Sequence, residues 1–282
     1  MKILIAMLSA ALSLCAADFR GVPATPAGFR SNIESLQSRR FHVRKTGRTK
    51  SAIALPGDNI CSTIISSSTM DTTFSIVNMS AAQSKVNLYF FSHDGADLAL
   101  PVAGSGELRS AQVAVAPFET FRFSTEMTGD SREGWALIEP EDPEDLVSGY
   151  CMITSRIPDT ELSMEFTLPV VNRFYTRAVM PYDNTPSGYS SVQLVNATPK
   201  AQVITVNLNS NGLQQTKSWR FEPWQGYNIA IDKLFDKAVP ERGTLELISD
   251  SPYGFGATGI RWGSLSISAL PVLTTVDWYV SN

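Results

Sequence analysis

Apolar and polar residues alternate along this chain in short runs, and no run sustains the 3.6-residue stripe of a helix. Runs such as "TTFSIVN", "KVNLYFF", "QVITVNL" and "GTLELI" carry Val, Ile, Phe and Tyr at period two, and they are bounded by Gly, Pro, Asn or Asp. That pattern predicts many short antiparallel strands. One stretch, "IDKLFDKAV" (Ile231–Val239), reads as a helical turn.

The pattern occurs twice. "SIVNMSAAQSKVNLYFF" (Ser75–Phe91) and "VQLVNATPKAQVITVNL" (Val192–Leu208) share a strand, a Val-Asn, a small polar turn and a second strand. With Asn78 set on Asn196, the landmarks keep their order. Asp94-Gly95 meets Asn211-Gly212, an Asx-Gly pair that favours two-residue hairpins. Pro117 meets Pro223, Phe118 meets Trp224, Phe121 meets Tyr227 and Phe123 meets Ile229. Gly134 meets Gly243, and Tyr150 meets Phe255. Leu168-Pro169-Val170 meets Leu270-Pro271-Val272. The first copy is longer, mainly through the Gly/Ala/Ser-rich stretch "GADLALPVAGSGELRSAQ", read as a loop insertion. Two tandem β-sandwiches of about a hundred residues follow, a normal size for such a domain. They are placed at 54–171 and 172–282, meeting near Asn172. One large sandwich built from two halves is the alternative.

These motifs, with "RGTLELISDSPYGFGATGIRW", resemble immunoglobulin-like β-sandwich repeats of secreted bacterial proteins over roughly Cys61 to Leu273. The resemblance implies an all-β fold of two tandem antiparallel immunoglobulin-like sandwiches and a role in adhesion, assembly or display. It brings no catalytic residues. Cys61, Trp135 and Cys151 half meet the immunoglobulin cysteine–tryptophan–cysteine pattern, while the second copy has Val179 and Gly256 at the cysteine positions.

The first residues change the picture of location. Lys2, the apolar run Ile3–Leu14 and the small residues Ala16-Ala17 have the layout of a secretory signal over 1–17. An acylated Cys15 is the minor alternative, disfavoured by the bulky Leu14 before it. The expected location is exported: periplasmic, cell-surface or secreted. No later stretch is long and apolar enough to be a membrane-spanning helix. Cys61 and Cys151 then remain as a pair, expected to form a disulfide in an oxidising compartment; two unpaired core thiols are the alternative. A basic flexible arm (18–53) precedes an acidic body: residues 18–50 hold eight Arg/Lys against two acids, and residues from Ser51 onward fourteen against twenty-five.

Catalytic chemistry finds little material. Only His42 and His93 are present, and His93 precedes a turn, which predicts a solvated strand end. Neither suits a nucleophile–histidine–acid site, and no phosphate or dinucleotide loop is present. Two carboxylates alone serve glycosidases, so a carboxylate hydrolase stays as a lesser alternative. The acidic loop 139–145 reads as a solvated guard against edge aggregation rather than a calcium site. No catalytic residue, metal or cofactor is assigned.

Binding candidates are aromatic or basic. Trp219, Trp224, Tyr227 and Trp262 align with Val113, Phe118, Phe121 and Ile157, positions apolar in both copies and so read as core. Trp278 and Tyr279 lack a counterpart and stay as binding candidates, as in a carbohydrate-binding module. Arg39, Arg40, Arg44 and Lys45 lie in "SRRFHVRKTGRTK", suited to an anionic surface, to the acidic body or to a tether. The expected partner is a protein or polysaccharide at the cell surface, with no nucleic acid. Asn78 and Asn196 head formal glycosylation sequons at matching positions, which turn chemistry explains equally well.

Overall fold

Strands form wherever the period-2 pattern runs between turn residues. The computed structural model describes residues 58–157, 160, 162–185, 188–263 and 267–274, all belonging to one compact unit. The signal and arm, Arg39, Arg40, Arg44, Lys45, Trp278 and Tyr279 lie outside the described residues.

The first sandwich is built from β1 (Asn59–Ser66), β2 (Met70–Asn78), β3 (Ser84–Ser92), β4 (Leu100–Val102) and β5 (Gly106–Leu108). It continues with β6 (Ser110–Val115), β7 (Thr120–Ser124), β8 (Arg132–Pro140), β9 (Val147–Arg156) and β10 (Ser163–Pro169). One sheet has the order β1-β8-β3-β6 and the other β10-β9-β2-β7. The insertion read as a loop contains a hairpin, β4 on β5.

The second sandwich repeats this plan. It contains β11 (Arg177–Asp183), β12 (Gly188–Val195), β13 (Gln202–Ser210), β14 (Leu213–Phe221), β15 (Gly226–Ala230) and the short α1 (Ile231–Leu234). Then come β16 (Arg242–Ser249), β17 (Gly256–Gly263), β18 (Ile267–Leu270) and β19 (Leu273–Thr274). Its sheets run β14-β13-β16-β11-β19 and β15-β12-β17-β18. Replacing β1, β2, β3, β6, β7, β8, β9 and β10 by β11 to β18 in order converts one pair of sheets into the other, β19 apart. All pairs are antiparallel. The repeat in the sequence is therefore a repeat of topology. Counted within a copy, strands 2–5 and 3–6 pair as they do in the immunoglobulin order, whereas strand 1 pairs with 6 and strand 7 with 2.

Inward residues of the two sheets fill one core per sandwich: Phe74, Ile76, Leu88, Phe90 and Ile138 in the first, Val192, Leu194, Val206, Leu247 and Phe255 in the second. Cys61 on β1 and Cys151 on β9 form a disulfide that ties the two sheets together, with a sequence separation of 90.

Strand registers correct the sequence alignment at two points. Cys61 faces Ala136, as Met180 faces Leu245, so Met180 and not Val179 is the counterpart of Cys61. Cys151 faces Phe74, as Gly259 faces Val192, so Gly259 and not Gly256 matches Cys151. The same shift sets Trp262 against Thr154, not Ile157, and removes the argument that Trp262 occupies a shared core position. The cause is the anchor used: Phe255 precedes its strand, whereas Tyr150 lies inside one.

Asn78 and Asn196 show why the motif recurs. Both side chains are fully buried. The Asn78 amide donates to the carbonyls of Ala82, Val115 and Ala116, and the Asn196 amide to those of Lys200, Phe221 and Glu222. One side chain thus binds the β2–β3 turn to the end of β6, and its counterpart does the same in the second copy. Asn78→Ala or Asn196→Ala removes a buried donor shared by three carbonyls, of which Ala116 and Glu222 keep a second donor, and is expected to cost about 2–3 kcal/mol each by chemical denaturation. The larger loss is expected at Asn196, whose Oδ1 also accepts from Thr198 Oγ1 and the buried Gln202 Nε2, where Asn78 Oδ1 accepts from Ser80 N–H.

Candidate functional site

The site is the end of the first sandwich where three loops meet. Met79 N–H donates to the Leu146 carbonyl at 2.8 Å, Leu146 N–H to Ser80 Oγ at 2.8 Å, and Asn78 N–H to the Glu119 carbonyl at 3.0 Å. These bonds hold the β2–β3, β6–β7 and β8–β9 loops side by side. Three large apolar side chains stand out from them: Met79 at 48%, Phe118 at 72% and Leu146 at 61% exposure. Scattered apolar residues are ordinary on a surface; three on hydrogen-bonded neighbouring loops form a candidate interaction site.

Phe118 is also held in the left-handed region, with φ 57°. A bulky residue there costs of order 1–3 kcal/mol and persists only where its surroundings hold it. Here the Asn78 amide binds the carbonyls of Val115 and Ala116 just before the turn, and Glu119 N–H closes it onto the Ala116 carbonyl at 3.1 Å. The same loops carry exposed carboxylates: Glu119 next to Phe118, and Glu141, Asp142 and Glu144 ahead of Leu146. Glu141 also pairs with Lys85 at 3.2 Å.

The same end of the second sandwich has a different fate. Met79 corresponds to Ala197 and Phe118 to Trp224, which are 0% and 3% exposed. Both join Ile60, Phe91, Trp135, Leu137, Val171 and Val195 in a cluster between the sandwiches. Trp224 has φ 63°, matching Phe118. Its ring stacks on Phe91 (centroids 5.5 Å apart, 9° between planes), and Phe91 stacks on Trp135 at 4.5 Å. Trp135 Nε1 donates to the Trp224 carbonyl at 3.1 Å. Gly95, at φ 85°, approaches so closely that a Cβ there would lie 2.6 Å from the Pro223 carbonyl oxygen. Side-chain hydrogen bonds extend the seam: Ser62 Oγ to Thr258 Oγ1 at 2.9 Å, and Thr63 Oγ1 to Gln193 Oε1.

Several expected placements change accordingly. His93 is not a solvated strand end: Gly226 N–H donates to its carbonyl at 3.1 Å, and its Nδ1 lies 3.2 Å from the Gly226 carbonyl. Of the aromatics assigned to core, Trp219 packs against the second sandwich's core, Trp224 lies in the junction, and Phe118 and Tyr227 are exposed. Trp262 does pack on a buried cluster, that of Ile153, Phe166, Leu168 and Ile260, and also stacks beside the half-exposed Tyr189, with centroids 6.0 Å apart and 12° between planes. Within the acidic stretch 139–145, Glu139 lies in β8 opposite Asn87, while the exposed Glu141, Asp142 and Glu144 lie on the same loop as Leu146.

Among the described residues, no three of His, Cys, Asp or Glu converge as metal ligands, and no helix is long and apolar enough to cross a membrane. Compared with protein-family models, curated proteins and solved structures, the chain matches none.

Proposed function

We propose that the chain is an exported, non-enzymatic β-sandwich protein of the cell envelope or exterior, acting in adhesion, assembly or display through protein recognition. One observation carries the reading: the apolar end of the first sandwich stands open, while its counterpart on the second is buried against another sandwich. Rigid sheets presenting loops are a common way to build a recognition surface. The inter-sheet disulfide and the signal-like first residues support export into an oxidising compartment. The test replaces Met79, Phe118 and Leu146 together by serine in cells that make the protein. All three side chains are exposed, so the thermal midpoint is expected to hold while retention in the envelope or matrix fraction falls at least about tenfold. Unchanged retention would refute a role for this end.

A second reading, carbohydrate binding, draws on the Tyr189–Trp262 stack, since flat aromatic surfaces suit sugar faces. On a glycan array it predicts a signal that Tyr189→Ala removes.

A further inference from the structure

We infer that the open end of the first sandwich docks a separate β-sandwich chain that carries a paired aromatic seat and a basic rim. The inference rests on the recognition role proposed for this end and names its partner. The argument is the molecule's own repeat. The turn Pro223-Trp224 shows how such an end is covered: two stacked rings, Phe91 and Trp135, take its aromatic side chain, and an indole N–H takes its carbonyl. Pro117-Phe118 is the same turn, with the same left-handed backbone, and presents its ring to solvent. A turn held in a costly conformation in both copies, and used for docking in one, is built for docking in the other.

Among the described residues, neither equivalent face of a second copy of this chain supplies the seat. In the first sandwich, Phe91 and Trp135 are already covered by Trp224. In the second, the counterparts of Phe91 and Trp135 are Asn209 and Thr244, and the counterpart of Leu137 is Glu246, which is bonded to Arg177. That face is polar and cannot stack on Phe118. The partner is therefore a different chain. Its rim is basic, because the exposed carboxylates Asp142 and Glu144 lie on the loop that carries Leu146.

The geometry can be tested without the partner in hand, by building the seat where it is missing. Full-length chain carrying Asn209→Phe with Thr244→Trp is expected to assemble head to tail in sedimentation velocity, with Phe118→Ser in the same chain weakening assembly about thirtyfold. Wild-type chain is expected to remain monomeric. Should the double variant lose its circular-dichroism spectrum, Asn209→Phe alone serves, because Phe91, its counterpart, is the ring on which Trp224 stacks. A folded variant that stays monomeric overturns the inference. So does assembly indifferent to Phe118→Ser, or wild-type self-association through Phe118. If the graft fails while the triple serine variant still loses retention, the end recognises something other than an aromatic seat, and the recognition role itself stands.

Discussion

Replacing Cys61 and Cys151 together by alanine should lower the stability of the first sandwich by about 4–5 kcal/mol, the loop-entropy value for a bridge closing about ninety residues. That is a large share of the 5–15 kcal/mol that holds an ordinary domain folded. Both sulfurs sit in the core between the sheets, so nothing outside the sandwich substitutes for the link. The second sandwich manages without one, and the reason is visible at the matching positions. Met180 reaches across from β11 so far that a Cβ on Gly259 would lie 2.8 Å from its Cε. A long flexible thioether laid over a glycine fills the space that a disulfide fills in the first copy. Transplanting that solution as Cys61→Met with Cys151→Gly should therefore recover about 1 kcal/mol over the double alanine, from buried side-chain area less the cost of a strand glycine. Urea titrations of the oxidised, double-alanine and transplanted chains check both figures. Reduced wild-type protein should behave like the double alanine, and insensitivity to reduction would contradict the structural role of the bridge.

Trp135→Ala should cost about 3–5 kcal/mol, the range for emptying a buried tryptophan site. Trp135 is fully buried, yet it does not belong to the core of its own sandwich. Its ring faces outward from β8, stacks on Phe91 and holds the Trp224 carbonyl. The loss should therefore appear at the junction. Hydrogen exchange should accelerate at Gly226 and Asn196, on the docked end, while Val206 and Leu247 in the second core keep their protection. A double-mutant cycle with Trp224→Ala should give a coupling above about 1 kcal/mol, because both rings stack on Phe91. Additive losses would mean that the two tryptophans stabilise the molecule separately and that the stacked seat is not a unit.

Much of the architecture was legible from local pattern. Turn residues and alternation marked the strands, and the internal repeat predicted that the copies share one topology. The Asn211-Gly212 pair closes a two-residue hairpin with φ of 46° and 81°. The docking of one sandwich on the other was not read, although it left a trace. In β8, "WALI" breaks alternation: Ala136 and Ile138 face the core, and Trp135 and Leu137 face the neighbouring sandwich. The matching strand β16 alternates normally, with Thr244 and Glu246 on its outer face. The outer-face residues of β8 and β16, not the aromatic landmarks, carry the difference between the copies. The open end was hidden for a related reason. An aromatic after proline looks alike whether it is buried or exposed, and only the loops that assemble around Phe118 decide which.

A photoreactive phenylalanine analogue placed at position 118, in cells that make the protein, would report directly on what this end touches. The recognition role predicts an adduct with another polypeptide that vanishes when Met79 and Leu146 are serine. Adducts confined to the chain itself, or none at all, would contradict it.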